Sequence, residues 1–225
     1  AKELGMDSIA ITDHGVMFGV IDFYKACKAN GVKPIIGCEV YVAPRTRFDK
    51  EAGIDNKYNH LILLAKNNNG YKNLSKLVSL GFLDGYYYKP RIDKEILEKY
   101  HEDLICCSAC LAGELPQAIL KNDMEKAEET ALWFKNLFGE DYYLEIQANS
   151  LREQALVNQK LIALSQKLNI PIVATNDAHY LKKEDYYNHE VLLCVQTGKR
   201  MTDSDRMSFS TNDFYIKSPE EMEEY

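Results

Sequence analysis

Residues 8–15 read Ser-Ile-Ala-Ile-Thr-Asp-His-Gly, a short apolar run that ends in an acidic residue and a histidine. The run predicts a β-strand, and the amphipathic stretch from Val16 to Asn30, closed by Gly31, predicts the helix after it. Further strands are predicted at residues 34–42, 61–65, 104–108, 142–147 and 171–175. Helices are predicted at residues 71–80, 94–100, 116–138, 151–168 and 183–197. Strands that are apolar on both faces and separated by helices predict an α/β fold with a mainly parallel sheet, either a barrel or a doubly wound sheet.

The composition indicates a folded protein with no overall attraction for polyanions. The chain has 225 residues, of which 46% are hydrophobic, enough for one substantial core. With 27 basic and 34 acidic residues the net charge is −7, so any contact with nucleic acid must be local. The apolar runs stop after about five residues, whereas a membrane span needs roughly 20, so we expect a soluble protein without membrane contacts.

The cysteines and the two ends of the chain indicate the redox state of the protein and the extent of the domain. The six cysteines have irregular spacing and no charged-then-apolar leader opens the chain, which predicts reduced thiols in the cytoplasm. Residues 1–5 read as the last turn of a helix, and residues 218–221 as a capped helix start. We therefore expect residues 1–225 to be one domain, truncated at both ends, of a longer protein.

Three predicted strands end in side chains that bind metals. The junctions are Thr12-Asp13-His14, Cys38-Glu39 and Asn176-Asp177-Ala178-His179. An isolated Asp-His after a strand is commonly a helix cap, but three such strand ends favour a shared rim, as at the carboxyl ends of barrel strands. Histidine mixed with carboxylate suits Zn, Mn or Fe better than Mg or Ca. Phosphate-binding glycine loops and serine-nucleophile motifs are absent from the sequence, so metal-activated water is the expected nucleophile.

Other histidines and cysteines have weaker patterns. His60 stands before its apolar strand, and its position alone indicates a surface or capping residue. Cys107-x-x-Cys110 is half of a zinc motif without a second pair. His101 and His189 lie in charged or amphipathic contexts and are interpreted as surface or packing residues.

The tyrosine-rich run at residues 86–91 leaves two interpretations open. It is equally compatible with a basic-aromatic surface for single-stranded nucleic acid and with a packed loop.

Several stretches together resemble the PHP (polymerase and histidinol phosphatase) domain family, in the version carried by bacterial DNA polymerase III alpha subunits. The resemblance covers nearly the whole chain and rests on residues 4–6 (Leu-Gly-Met), 10–15 (Ala-Ile-Thr-Asp-His-Gly), 34–40 (Pro-Ile-Ile-Gly-Cys-Glu-Val), 60–67, 70–74, 87–93 (Tyr-Tyr-Lys-Pro-Arg-Ile-Asp), 110–114 (Cys-Leu-Ala-Gly-Glu) and 173–180 (Val-Ala-Thr-Asn-Asp-Ala-His-Tyr).

This resemblance implies a distorted (β/α)7 barrel of the PHP type with a divalent metal cluster of up to three ions at one rim. It makes six residues metal ligands, and it overrides the positional interpretation of His60: His14, Glu39, His60, Cys110, Asp177 and His179. It makes Asp13 a residue that orients an imidazole. The family's first strand, with a His-x-His pair and a further Asp, would lie upstream of Ala1, so we expect this chain to lack that strand, to bind metal incompletely and to have little activity alone.

The resemblance also implies a function and partners. The first hypothesis is a metal-dependent phosphoesterase that supports 3′–5′ proofreading in a DNA polymerase, with DNA and the rest of the alpha subunit as partners. The alternative is a non-catalytic domain that stabilises the polymerase and docks a separate proofreading subunit. A free-standing small-molecule phosphatase ranks last, because the Tyr-Lys-Pro-Arg and Ala-Thr-Asn-Asp stretches resemble the polymerase form.

Overall fold

The computed structural model describes residues 1–224, and the predicted strands and helices are present with shifts of a few residues at their ends. The strands are β1 (Ser8–Ile11), β2 (Lys33–Val42), β3 (Asn59–Ala65), β4 (Tyr86–Tyr87), β5 (Lys89–Ile92), β6 (Leu104–Cys107), β7 (Tyr142–Gln147) and β8 (Ile172–Thr175). The helices are α1 (Val20–Ala29), α2 (Asn68–Leu83), α3 (Lys94–Tyr100), α4 (Glu114–Leu120), α5 (Met124–Phe138), α6 (Arg152–Leu168), α7 (Tyr186–Thr197) and α8 (Pro219–Glu223).

Side-chain caps fix where several helices begin. Asn67 accepts hydrogen bonds from the amides of Asn69 and Gly70 at the start of α2. Asp93 accepts one from the amide of Ile96 at the start of α3. Such caps satisfy amides that have no partner within the helix, and each contributes about 1 kcal/mol. No helix among residues 1–224 is long and apolar enough to cross a membrane.

The sheet is mixed rather than mainly parallel, because β3 runs against both of its neighbours. The strand order is β4-β5-β2-β3-β6-β7-β8, with β1 also paired to β2. β3 is antiparallel to β2 and to β6, whereas β1–β2, β2–β5, β6–β7 and β7–β8 are parallel. The loop of residues 43–58 contains no helix and turns the chain straight back, which gives an antiparallel neighbour; a parallel neighbour needs a crossover.

The sheet curls into an incomplete barrel. β1 and β8 stand at opposite ends of a row of six strands, which would be about 24 Å apart in a flat sheet. His14 follows β1 and His179 follows β8, yet their ring centroids are 5.7 Å apart. The two ends of the sheet therefore approach each other at one rim, and the expectation of a distorted α/β barrel is confirmed. Within the described residues, β1 and β8 are not paired with each other.

Alternation along the strands divides the buried residues between two faces. The outer face packs against the helices and contributes the in-register residues Cys38, Leu63, Cys106 and Tyr142, all fully buried. The inner face contributes Ile62 and Cys107, which pack with Ala109 and Tyr143 inside the curl. Glu39 is in register with Ile62, so it also lies on the inner face.

A buried arginine fixes the loop between β2 and β3. Arg91 on β5 is 0% exposed. Its guanidinium donates hydrogen bonds to four backbone carbonyls, those of Gly85, Asp55, Arg47 and Asp49, at 2.7–3.1 Å. Three of these carbonyls belong to the loop of residues 43–58, so the loop is folded around one side chain that lies outside it.

We predict that Arg91→Met destabilises the protein by about 3 kcal/mol or more, because it leaves several buried carbonyl oxygens without donors. Urea unfolding measures the loss, and limited proteolysis should cut first within residues 43–58. Arg152→Met is the control, since Arg152 is exposed at the start of α6. Equal stability of the two variants would contradict the anchoring role of Arg91.

Candidate metal centre

His60 reaches the same rim as the residues that follow other strands, because β3 is antiparallel. The start of β3 lies beside the end of β2, where Tyr41 pairs with His60. Its side chain is only 15% exposed. The positional interpretation of His60 as a surface residue is therefore wrong, and the reason is that it assumed a strand parallel to its neighbours.

Glu39 is the centre of the cluster. Its Oε1 lies 3.4 Å from Nε2 of His14 and also contacts Nδ1 of His60. One ligand atom from each of these three residues lies within 4.8 Å of the other two. The Glu39 side chain is 5% exposed and that of His14 is 44% exposed, so the cluster opens to solvent on the side of His14.

Cys110 joins the cluster through His60. Its Sγ lies 3.5 Å from Nδ1 of His60. The turn that carries it is held to β3, because the amide of His60 donates to the carbonyl of Ala112 at 3.0 Å. Gly113 makes the turn possible: a Cβ there would lie 2.3 Å from the carbonyl oxygen of Ser108.

Asp177 and His179 lie after β8, and the ring of His179 is next to that of His14. Oδ1 of Asp177 is 3.9 Å from Nδ1 of His179, and Asp177 has a left-handed backbone with φ of 50°. The amide of His179 donates to the carbonyl of Phe214 at 2.8 Å. Lys217, buried beneath the loop, donates to Asn176 Oδ1 at 3.3 Å. The C-terminal segment therefore holds this loop in place.

The six residues that the resemblance names thus lie around one rim, at different distances from one another. Three of them meet closely, Cys110 adjoins His60, and the Asp177–His179 pair faces His14. Their assignment as metal ligands stays a prediction, which the donor chemistry supports. Imidazole nitrogens, carboxylate oxygens and a thiol are a set that fits Zn, Mn or Fe.

Burial and neighbouring charges set the protonation states of the cluster. Burial lowers the pKa of His14, which favours the neutral imidazole that a metal requires. Burial opposes the charge of Glu39, but the neighbouring imidazoles of His60, His14 and His179 together outweigh this and lower the pKa of Glu39. Burial raises the pKa of Asp177, and it raises that of Cys110 well above the ordinary thiol value. Metal binding at Cys110 must therefore expel a proton.

Two residues beside the cluster were not selected from the sequence. The ring of His189 on α7 lies 5.8 Å from that of His179, a contact that no local pattern indicates. Glu145 on β7 is buried on the inner face; its Oε1 accepts a hydrogen bond from Thr175, and its Oε2 has no hydrogen-bond partner among residues 1–224. A charged residue within the buried strand 142–147 is the signal that could have identified Glu145.

The backbone of Asp13, rather than its carboxylate, makes the contacts seen in this region. Its carbonyl oxygen accepts hydrogen bonds from the amide of Glu39 at 3.1 Å and from the thiol of Cys38 at 3.3 Å. These bonds align the segment before His14 with β2. The orienting role expected for the Asp13 side chain stays a prediction.

The chain is similar to known proteins over nearly its whole length. The family described as PHP domain matches residues 1–149. Proteins named DNA polymerase III subunit alpha from Borreliella burgdorferi and Treponema pallidum are each 49% identical to this chain over 99% of its length, and the one from Thermus aquaticus is 47% identical over 96%. The chain spans about a fifth of the length of these relatives, 18–19%.

A solved structure from Bifidobacterium adolescentis, described by its name as a putative metal-dependent phosphoesterase, also resembles this chain. The two are 13% identical in sequence and align with a TM-score of 0.45 over 79% of each chain.

Cobalt binding should report on Cys110. We expect Co²⁺ to produce a near-ultraviolet thiolate-to-metal absorption band whose apparent affinity rises with pH, because the thiol must lose its proton before it binds. Cys110→Ser should remove the band and weaken binding by about tenfold or more. Cys27→Ser, a change on α1, is the control. A band that survives in Cys110→Ser would exclude this cysteine as a ligand.

Glu145 should make the metal-free protein less stable at neutral pH than in acid. Burial raises the pKa of Glu145 from an ordinary value of 4.5 to about 7. Between these values the folded state binds more protons than the unfolded state, so the free energy of unfolding falls as pH rises, by about 3 kcal/mol in total. Glu145→Gln should lose that fall, whereas the exposed control Glu153→Gln should keep it. Parallel pH profiles for all three proteins would refute the expectation.

Proposed function

Because this chain belongs to the PHP domain family, we propose that it is a metal-dependent phosphoesterase domain of a bacterial DNA polymerase III alpha subunit. The proposed reaction is hydrolysis of the 3′ terminal link of DNA, which is 3′–5′ proofreading. The observation that carries the proposal is the cluster of His14, Glu39 and His60, whose ligand atoms lie within 4.8 Å of one another at an open rim.

The proposed context is a longer polymerase that works in the cytoplasm. The relatives named above are about five times as long as this chain, so the nucleotidyltransferase chemistry is assigned to other parts of the polypeptide. DNA and the remainder of the alpha subunit are then the partners. The acidic chain has no overall field for DNA, so DNA must be held locally or by the other domains.

The residues of the cluster have distinct tasks in this proposal. His14, Glu39, His60 and Cys110 would hold ions on one side of the rim, and Asp177 with His179 on the other. Bound divalent ions supply a water of lowered pKa and neutralise charge on the leaving oxygen. The exposed edge of His14 leaves the site open to a strand end. The buried carboxylate of Glu39 keeps the two imidazoles oriented between reactions.

A second function is favoured by the exposed face of α7. Tyr187, Leu192 and Val195 on this helix are 64–75% exposed. Apolar side chains grouped on a surface are typical of interaction sites. We therefore retain the alternative that the domain stabilises the polymerase and docks a separate proofreading subunit there. The two functions differ in whether the metal ligands are needed for degradation of DNA.

Asp177→Asn in the full polymerase should reduce metal-dependent degradation of a labelled DNA 3′ end by at least about a hundredfold, because it removes a charged metal ligand. Nucleotide addition by the same preparation should change little, since it uses other domains. Asp22→Asn, an exposed change on α1, is the matched control. Undiminished degradation by Asp177→Asn would favour the docking function.

A further inference from the structure

The hairpin of β4 and β5 packs directly against the loop that carries His14. A Cβ on Gly15, the residue after His14, would lie 3.1 Å from Cγ of Pro90 and 2.7 Å from the ring of Tyr41. Gly15 also has a left-handed backbone with φ of 68°. The hairpin therefore forms one wall of the candidate metal centre.

Two cations of this hairpin lie on the same face as Tyr41. Arg91 is in register with Tyr41, and Lys89 is two residues before it on the same strand. Arg91 is committed to backbone carbonyls and has a structural role. Lys89 has no ion pair with any carboxylate among residues 1–224, and it is partly exposed.

Tyr41 places the ammonium of Lys89 close to the cluster. Nζ of Lys89 lies 5.5 Å from the ring centroid of Tyr41. The same ring lies 5.4 Å from the ring of His60 and 6.4 Å from that of His14. One aromatic side chain therefore separates this ammonium from two of the predicted ligands.

The ammonium of Lys89 offsets part of the negative charge of the site. The cluster contains the carboxylates of Glu39 and Asp177, and the chain has a net charge of −7, so a polyanion is repelled unless a local positive group offsets the field. Metal ions would neutralise the phosphate that is cleaved. The next phosphate of a strand lies beyond their coordination shell and needs its own partner.

We propose that Lys89 binds the backbone phosphate adjacent to the scissile one, so that the site selects a single-stranded polynucleotide over a small phosphoester. This inference rests on the proposed phosphoesterase function. Lys89 is a specificity-determining residue here, because it contacts the strand outside the reacting bond. Tyr41 supports it by holding the lysine stem beside the rim.

The test compares two substrates and a binding measurement in the metal-loaded polymerase. For Lys89→Gln, the KM for a single-stranded oligonucleotide should rise about tenfold relative to the KM for bis(p-nitrophenyl) phosphate, which has no second phosphate. The slope of log affinity against log salt concentration for the oligonucleotide should fall by about 0.7, the value for one phosphate contact of a single strand. Lys89→Arg should retain both values.

Lys160→Gln, an exposed change on α6 at a lysine with no ion pair among residues 1–224, is the control for total charge and should match the parent protein. An unchanged KM ratio and salt slope in Lys89→Gln would overturn the proposal, as would equal effects of Lys89→Gln and Lys160→Gln. If the proposed phosphoesterase function itself is wrong, the result is different, because the parent protein would hydrolyse neither substrate. The salt slope would still decide whether Lys89 contacts the strand, because binding does not require turnover.

Discussion

β2 pairs with β1 and β5 along one edge and with β3 along the other, and this pairing fixes the backbone of Glu39. Glu39 is in register with Ile62 of β3 and forms an isolated bridge with His14 beyond β1. Its backbone cannot shift without disturbing the pairing of β2 with the segments on both sides. The neighbouring imidazoles are therefore placed by the ladder that holds their shared carboxylate.

The cluster is also costly for the protein to maintain without an ion. Burial raises the pKa of the Cys110 thiol and that of the Asp177 carboxyl, so the folded protein disfavours the charged form of both side chains. An ion that binds only the folded state recovers this cost and stabilises the fold by mass action. Stability and metal content are consequently linked in this domain.

Much of the fold follows from the sequence, because hydrophobic periodicity predicts strands and helices locally. The apolar runs also point to four residues of the site, since His14, Asp177 and His179 each come after such a run and Glu39 lies within one. His60 was not found in this way, because strand direction depends on the loop of residues 43–58 and on long-range pairing. Its selection came from resemblance, and the antiparallel register of β3 supplies the physical reason for its place at the rim.

Arg91 anchors the loop of residues 43–58, and this anchoring affects which positions of the sequence can change during evolution. The guanidinium binds carbonyl oxygens, and every residue type supplies one, so the anchor does not depend on which side chains the loop contains. Exposed positions such as Lys50 and Ala52 are free to change during evolution while the loop keeps its course. The constraint falls on Arg91 in β5, where no lysine could reach four acceptors with the same planar fork, and on the buried Asp55 and Arg47 of the loop itself.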